Sequence, residues 1–198
     1  FNTKHAALLN RDDFFIRPIS NARIQAIIDF MLLKNIEYLQ VWKLKNKEHR
    51  LYKTEFDGVY YCNKKARYSK SLMANIWERK SYINLFSSVN IDGWKIEGLW
   101  LKECLESEPG YDENYCYCHN DPFSILHAVS KGCWIRKAYR KLRRQGFSKK
   151  DLSSRKKLSF ALTIKQNISM FLLNNFSSKT FLKLKTFSKK QTYNTTNY

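Results

Sequence analysis

The chain has 198 residues, 43% hydrophobic and 15% aromatic, and a formal net charge of +19. That apolar and aromatic content supports a packed core and excludes a wholly disordered chain. Charge of this size disfavours compaction unless a polyanion neutralises it, so nucleic acid is the first expected counterpart and an anionic membrane surface the second.

The charge is unevenly placed. Residues 1–135 hold 19 Lys and Arg against 16 Asp and Glu, whereas residues 136–198 hold 17 against one. A globular body therefore carries a polycationic C-terminal third. Five cysteines at irregular spacing do not form a disulfide framework and fit a reducing compartment. The longest apolar run near the C-terminus, residues 170–173, is far short of the roughly 20 residues that span a bilayer. No signal peptide is read, and a start at Phe1 rather than Met fits a processed chain, an incomplete one or translation from an unusual start. Heavy use of Phe, Tyr, Asn, Lys and Ile suggests an AT-rich gene of the organellar kind.

In chain order, residues 1–13 predict a short helix with Ala6, Ala7 and Leu9 inward, and residues 14–17 a brief strand ending at Pro18. Ser20 is a candidate N-cap. Behind it Ile24, Ile27, Ile28, Met31 and Leu32 form an apolar helical stripe, which Asn35 can end in a left-handed cap. Residues 36–44 predict a strand with Ile36, Tyr38, Trp42 and Leu44 on one face, followed by a turn at Asn46 and Lys47. Residues 51–56 and 59–61 predict a hairpin about Asp57-Gly58. Residues 71–79 predict a helix, and 82–87 and 94–101 two strands joined by a turn at Asp92-Gly93. Residues 103–121 contain six acids and no Lys or Arg, which predicts an acidic loop facing solvent or a basic neighbour. Residues 158–164 (LSFALTI) predict a strand. Residues 165–198 predict a basic extension interleaved with aromatics that orders against a partner.

Catalytic patterns are sparse. Cys116, Cys118 and His119 have a metal flavour, with His127 as a possible fourth ligand, but their spacing lacks the paired arrangement of structural zinc sites. His5, His49, His119 and His127 lie in four different settings, and neither a nucleophile elbow nor a Gly-rich phosphate loop is present. The carboxylate pairs Asp12–Asp13 and Asp112–Glu113 suit a turn and the acidic loop. No enzyme activity, cofactor or metal is expected. A second, smaller basic run, Lys64, Lys65, Arg67 and Lys70 with Tyr68 inside it, suits stacking on unpaired bases.

Residues 123–144 (FSILHAVSKGCWIRKAYRKLRR) are the most informative stretch. An apolar strand enters a Ser-Lys-Gly turn and leaves it as a short helix. Ile135, Ala138, Tyr139 and Leu142 share one face, while Arg136, Lys137, Arg140, Lys141, Arg143 and Arg144 take the other directions with no acid among them. A turn with outward amides and a lysine, joined to a basic helix, is a phosphate-gripping unit.

The order of these elements resembles small-subunit ribosomal protein eight of the bacterial type. Two stretches carry the resemblance: residues 5–62, with His5-Ala6, Pro18-Ile19-Ser20 and the following amphipathic helix, and residues 122–146, with Ser130-Lys131-Gly132 and then Lys137-Ala138-Tyr139-Arg140. The departures are Ala128 and Val129, which replace the first Ser and Thr of the family's Ser-Thr-Ser-Lys-Gly signature, and the absence of the Gly-Gly-Glu before its last strand. The resemblance implies an α+β fold: an N-terminal helix and antiparallel-strand domain (1–62), a divergent middle or insertion with the acidic loop (63–121), a mainly β RNA-binding domain with a short basic helix (122–164), and a basic extension (165–198).

By the same resemblance, the chain is a structural constituent of a mitochondrial small ribosomal subunit, supporting assembly and translation. It would bind the central-domain rRNA and neighbouring ribosomal proteins, but no membrane and no small-molecule substrate. Ser130, Lys131 and Gly132 would touch RNA, with Arg136, Lys137, Arg140, Lys141, Arg143, Arg144, Arg17 and Ser20 in support. The alternatives are a non-ribosomal nucleic-acid-binding protein or nuclease, and a basic scaffold on an anionic membrane.

Overall fold

Strand pairing, rather than local periodicity, organises the larger part of the chain. The computed structural model describes residues 3–9, 13–42, 47–87, 93–120, 123–176 and 180. The fold is α+β. Its strands are β1 (His5–Leu8), β2 (Asp13–Phe15), β3 (Tyr38–Gln40), β4 (Val59–Asn63), β5 (Asn75–Glu78), β6 (Tyr111–Cys118), β7 (Ile125–His127), β8 (Val129–Ser130) and β9 (Cys133–Trp134). Its helices are α1 (Asn21–Leu33), α2 (Arg79–Ser87), α3 (Gly93–Glu106), α4 (Arg136–Arg144) and α5 (Phe160–Asn175).

The main sheet has the order β1-β5-β3-β6-β4. All its pairs are antiparallel except β3 with β6, which run parallel in the register Tyr38↔Tyr115. Both faces are covered. Leu39, Ile76, Cys116 and Cys118 point into the cluster that includes Ile27, Phe30 and Met31 of α1. Tyr38, Trp77 and Tyr117 point the other way, packed against Tyr82 and Leu85 of α2 and Trp100 of α3. A strand buried on both faces loses the apolar-polar alternation that marks a half-buried one.

Several sequence expectations hold. The strand at residues 14–17 corresponds to β2. Ser20 caps α1, its side chain accepting from the Arg23 amide at 3.3 Å. Asn35 is left-handed at φ 53°, and the Ile36 amide reaches Met31 O at 2.9 Å while the Asn35 amide reaches Leu32 O at 3.4 Å. That is a Schellman closure with Asn in the usual Gly position. The stripe is shifted: Phe30 is buried and Leu32 is largely exposed. At Asp57-Gly58 the chain turns with positive φ at Gly58 only, and residues 51–56 contribute a single bridge, Lys53↔Tyr60, instead of a full strand.

Other expectations are corrected. The helix predicted over residues 1–13 is β1, because His5–Leu8 lies against β5 and adds an edge to the sheet. The helix predicted over residues 71–79 is β5, fixed by pairing with β1 on one side and β3 on the other. The strands predicted at 82–87 and 94–101 are α2 and α3. In α2 the rings of Tyr82 and Phe86 meet at 4.4 Å, an i, i+4 pair. In α3 Ile96, Trp100 and Cys104 turn inward at i, i+4 and i+8. The acidic loop is not a loop: Glu103 and Glu106 belong to α3, and Asp112 and Glu113 to β6. The boundary at residue 62 separates nothing in the sheet, since β5 and β6 flank β3. The strand predicted at 158–164 is the start of α5, with Ser159 as its N-cap. The extension predicted to order only against a partner is helical to Asn175. Leu44, Asn46, Asp12, Asp92, Asp121 and residues 181–198 lie outside the described residues.

A smaller unit follows the sheet. β2 pairs with β7 and β8 with β9. Ala128, Val129, Trp134, Ala138, Leu142 and Leu152 form its core, against which Phe14 and Tyr139 pack.

One buried group beside the sheet, in the 3-10 turn Lys47–Arg50, titrates in an accessible range. His49 is buried beside Tyr117, and burial pushes its pKa down to about 4. The unfolded chain binds that proton near 6.5, so between the two values the unfolded state holds more protons. Stability contributed by the neutral ring is present above 6.5 and is lost as pH falls towards 4, by about 3 kcal/mol at the lower end. Urea midpoints measured across this range should fall in the wild-type chain and fall less in His49→Phe. Parallel pH slopes in the two proteins would assign the loss to other groups.

Candidate nucleic-acid interface

The register of β8 and β9, Val129↔Trp134 and Ser130↔Cys133, leaves Lys131 and Gly132 as a two-residue loop. Their φ values are 51° and 72°. Left-handed backbone at both central positions is what a type I′ hairpin requires, and Gly accepts it without steric cost. Lys131 and Gly132 are exposed and Ser130 is half-buried in the ladder. A Cβ built on Gly132 would meet nothing within 4 Å, so the tip of the turn opens onto solvent.

The helix α4 begins directly behind this hairpin. Ala138 and Leu142 are buried and Ile135 and Tyr139 pack beside them, as the spacing predicts. Arg136, Lys137, Arg140, Lys141, Arg143 and Arg144 are all exposed. Lys141, Arg143 and Arg144 occupy the last turn, where cations offset the negative end of the helix dipole. Arg136 Nε donates to Leu158 O at 2.8 Å, and Arg143 Nη1 donates to Phe147 O. Lys157 Nζ lies 4.2 Å from the centroid of the Tyr139 ring. Among the described residues no ion pair ties a cation of α4 to a carboxylate.

Arg17 joins this surface and Ser20 does not in the same sense. Gln145, the residue that closes α4, donates from Nε2 to Ile16 O at 2.9 Å, so exposed Arg17 adjoins the end of the basic helix. The Ser20 hydroxyl is engaged in capping α1.

The smaller basic run is divided: Lys64 is exposed, whereas Arg67 and Lys70 are drawn into the fold. Lys70 pairs with Glu103 at 2.9 Å and Asp112 at 3.2 Å and sits 4.7 Å from the Tyr115 ring. Those carboxylates outweigh its burial and hold its pKa above the usual lysine value. Arg67 is buried, stacked on Tyr68 at 4.6 Å with Nη2 donating to the Tyr68 hydroxyl at 2.8 Å. Lys70 thus ties α3 to β6 through Glu103 and Asp112, two of the acids of 103–121, while Arg67 is engaged by Tyr68.

Four of the five cysteines are buried, Cys116 and Cys118 among them. Cys116 and Cys118 fall on the same face of β6 because their spacing of one matches the strand period, and that face packs on α1. Burial pushes the Cys116 thiol well above its ordinary pKa. Among the described residues no three His, Cys, Asp or Glu are grouped as for a metal. His127 Nδ1 lies 3.2 Å from Asp13 Oδ1 across the β2–β7 pair instead.

Sequence reasoning missed four exposed cations of this surface, Lys149, Lys150, Lys156 and Lys157. The Trp134 amide donates to Lys156 O at 2.8 Å, which brings the segment after α4 back beside the hairpin. Their charge was visible, but the return of the chain depends on a tertiary bond. Beyond them α5 exposes Phe160, Ile164, Ile168 and Phe171 at i, i+4, i+8 and i+11. No helix among the described residues is long and apolar enough to cross a membrane.

Comparison with protein-family models, curated proteins and solved structures finds no match to the chain.

The unpaired cations of α4 repel one another. Replacing Lys137 and Arg140, which lie outside the last turn, together by Gln should therefore leave the melting temperature unchanged or raise it by a few degrees at low salt. The gain should vanish near 1 M salt, where the Debye length is about 3 Å. A lowered melting temperature at low salt would give these side chains a folding role.

Proposed function

We propose that this chain is a structural, non-enzymatic RNA-binding protein of a mitochondrial small ribosomal subunit. It would bind small-subunit rRNA and contact neighbouring ribosomal proteins during assembly and translation. The observation that carries the reading is the left-handed Lys131-Gly132 turn, set just before a helix with six exposed cations that form no ion pair with a carboxylate among the described residues. An apolar strand, a Ser-Lys-Gly turn and a basic helix in that order support the resemblance to small-subunit ribosomal protein eight.

The chemistry suits RNA. An A-form helix hides its base edges in a deep major groove and offers phosphates, 2′-hydroxyls and shape across a shallow minor groove. Exposed amides and hydroxyls at a tight turn can meet the sugars, and a row of cations can meet the phosphates. In this reading Lys131, Gly132 and Ser130 choose the site, and Arg136, Lys137, Arg140, Lys141, Arg143, Arg144 and Arg17 supply affinity. Ser20 supports the start of α1 rather than the contact itself.

Small-subunit rRNA crosslinked to Lys131 in the assembled particle is the expected outcome. Lys131→Ala combined with Gly132→Val should weaken binding to one rRNA helix by at least tenfold, whereas removal of residues 166–198 should leave site choice intact. If the deletion alone abolished site choice, recognition would lie in the extension. A nuclease would reveal itself by divalent-metal-dependent cleavage, and a membrane scaffold by liposome binding that survives ribonuclease.

Affinity should also fall steeply with salt. The log–log slope should lose about 0.7–0.9 for each of Arg140, Lys141 or Arg144 changed to Ala, if each meets one phosphate. A slope near zero in the wild-type chain would overturn a charge-driven grip.

A further inference from the structure

Beside the basic surface lies a cleft of about 250 Å³ lined by Phe14, Val129, Trp134 and Phe147 on its apolar side and by Asp151, Ser154 and Arg155 at its rim, with Leu152 behind. It is smaller than the roughly 300–1,000 Å³ of sites that enclose a drug-sized ligand, so it suits one planar ring system rather than a whole cofactor.

Its walls are aromatic and fixed. The Phe14 ring lies 5.7 Å from Trp134 and 6.1 Å from Phe147, tilted to the first and edge-on to the second. The Trp134 indole is oriented by donation from Nε1 to Leu152 O at 2.8 Å. Phe147 is held at its backbone, its amide reaching Leu142 O at 3.3 Å and its carbonyl accepting from Arg143. Phe147 nevertheless leaves 38% of its surface exposed.

The surroundings indicate what enters. Cations stand on both sides: Arg143 at the carbonyl of Phe147, Arg155 in the rim, and Lys156 and Lys157 adjoining Trp134 through the backbone. Asp151, the single acid after residue 135, stands at the rim beside them. A carboxylate there repels a phosphate but accepts an N–H. Its Oδ2 accepts from the Ser148 amide at 2.6 Å, and the Asp151 amide donates back to Ser148 Oγ at 3.1 Å, so the carboxylate is held in place while the residue stays exposed. The arrangement separates phosphate from base: the backbone of a nucleic acid is drawn to the flanking cations while an uncharged ring with N–H donors fits between them.

We propose that this cleft receives one unpaired nucleobase of a bound RNA, stacked on Phe147 and hydrogen-bonded at its amino edge to Asp151. The proposal rests on the RNA-binding reading above and adds to it a base-specific subsite. Carboxylates accept from exocyclic amino groups, so adenine, cytosine or guanine should enter in preference to uracil.

The test uses the full chain and synthetic RNA hairpins that are fully paired, carry one unpaired nucleotide of each base, or carry an abasic residue at that place. The unpaired nucleotide should strengthen binding about tenfold over the paired and abasic hairpins, in line with stacking by a single base. Phe147→Ala, and separately Ser154→Trp, which fills the cleft without removing a wall, should erase that gain while leaving affinity for the paired hairpin unchanged. Asp151→Asn should reduce the preference over uracil. Equal affinity for all hairpins, undisturbed by either variant, would overturn the cleft and leave RNA binding standing. No binding to any hairpin would overturn both. Unchanged circular dichroism of the two variants separates a filled cleft from a lost fold.

Discussion

The indole of Trp134 holds together a segment whose charge works against folding. The residue is 4% exposed, its Nε1 donates to Leu152 O, its amide to Lys156 O, and its carbonyl accepts from the Leu158 amide. Those bonds fasten the chain after α4 to the β8–β9 hairpin before it. Ala138, Leu142 and Leu152 close over the same ring. A buried indole with a satisfied N–H combines a large apolar area with one oriented polar bond. Without it, the hairpin, the basic helix and the return segment would have little beyond a two-residue ladder to resist the repulsion among their cations.

This anchoring explains which part of the molecule was legible in the sequence. The hairpin and α4 could be read because their signals are local. A Lys-Gly pair between apolar runs demands a tight turn, and Ile135, Ala138, Tyr139 and Leu142 mark one helical face. The same holds for α1, whose cap at Ser20 and left-handed stop at Asn35 are single-residue signals. The sheet was not legible in this way. Ile76 and Trp77, like Leu39 and Tyr38, are buried on opposite faces, so no alternation distinguishes their strands from a helix. The assignment of β5 comes from β1 and β3, which flank it from sequence positions about 70 and 35 residues earlier. For α3 a signal did exist: Ile96, Trp100 and Cys104 recur every fourth residue, but an apolar-rich stretch containing Trp and Ile also satisfies strand propensity.

The two basic runs show how burial separates function from structure when composition does not. Residues 64–70 and 136–144 both mix cations with tyrosine. In the first, Lys70 meets Glu103 and Asp112 at the seam between β6 and α3, and Arg67 lies flat on Tyr68. The acids that answer Lys70 come more than thirty residues later, so a count of local charge does not find them. In the second, the available acid is Asp151, and it is bonded to Ser148 instead of to an arginine. A cation paired within the fold contributes to stability and is withdrawn from a partner. A cation left unpaired does the reverse, raising the cost of folding and keeping its charge for something outside the chain.

The remaining contrast lies between α4 and α5. The basic helix is supported from within, by an apolar face that fits a core of its own. The longer helix has the opposite character: its cap at Ser159 is well made, yet Phe160, Ile164, Ile168 and Phe171 face solvent and its one cation is Lys165. Isolated helices of this length are marginal in water. The apolar surface of α5 is thus a source of strain for the free chain, as the unpaired charge of α4 is. The two strains differ in kind, one relieved by a polyanion and the other by apolar contact. Arg136 Nε reaches Leu158 O just ahead of the Ser159 cap, so the charged helix and the apolar one are tied together at their starts.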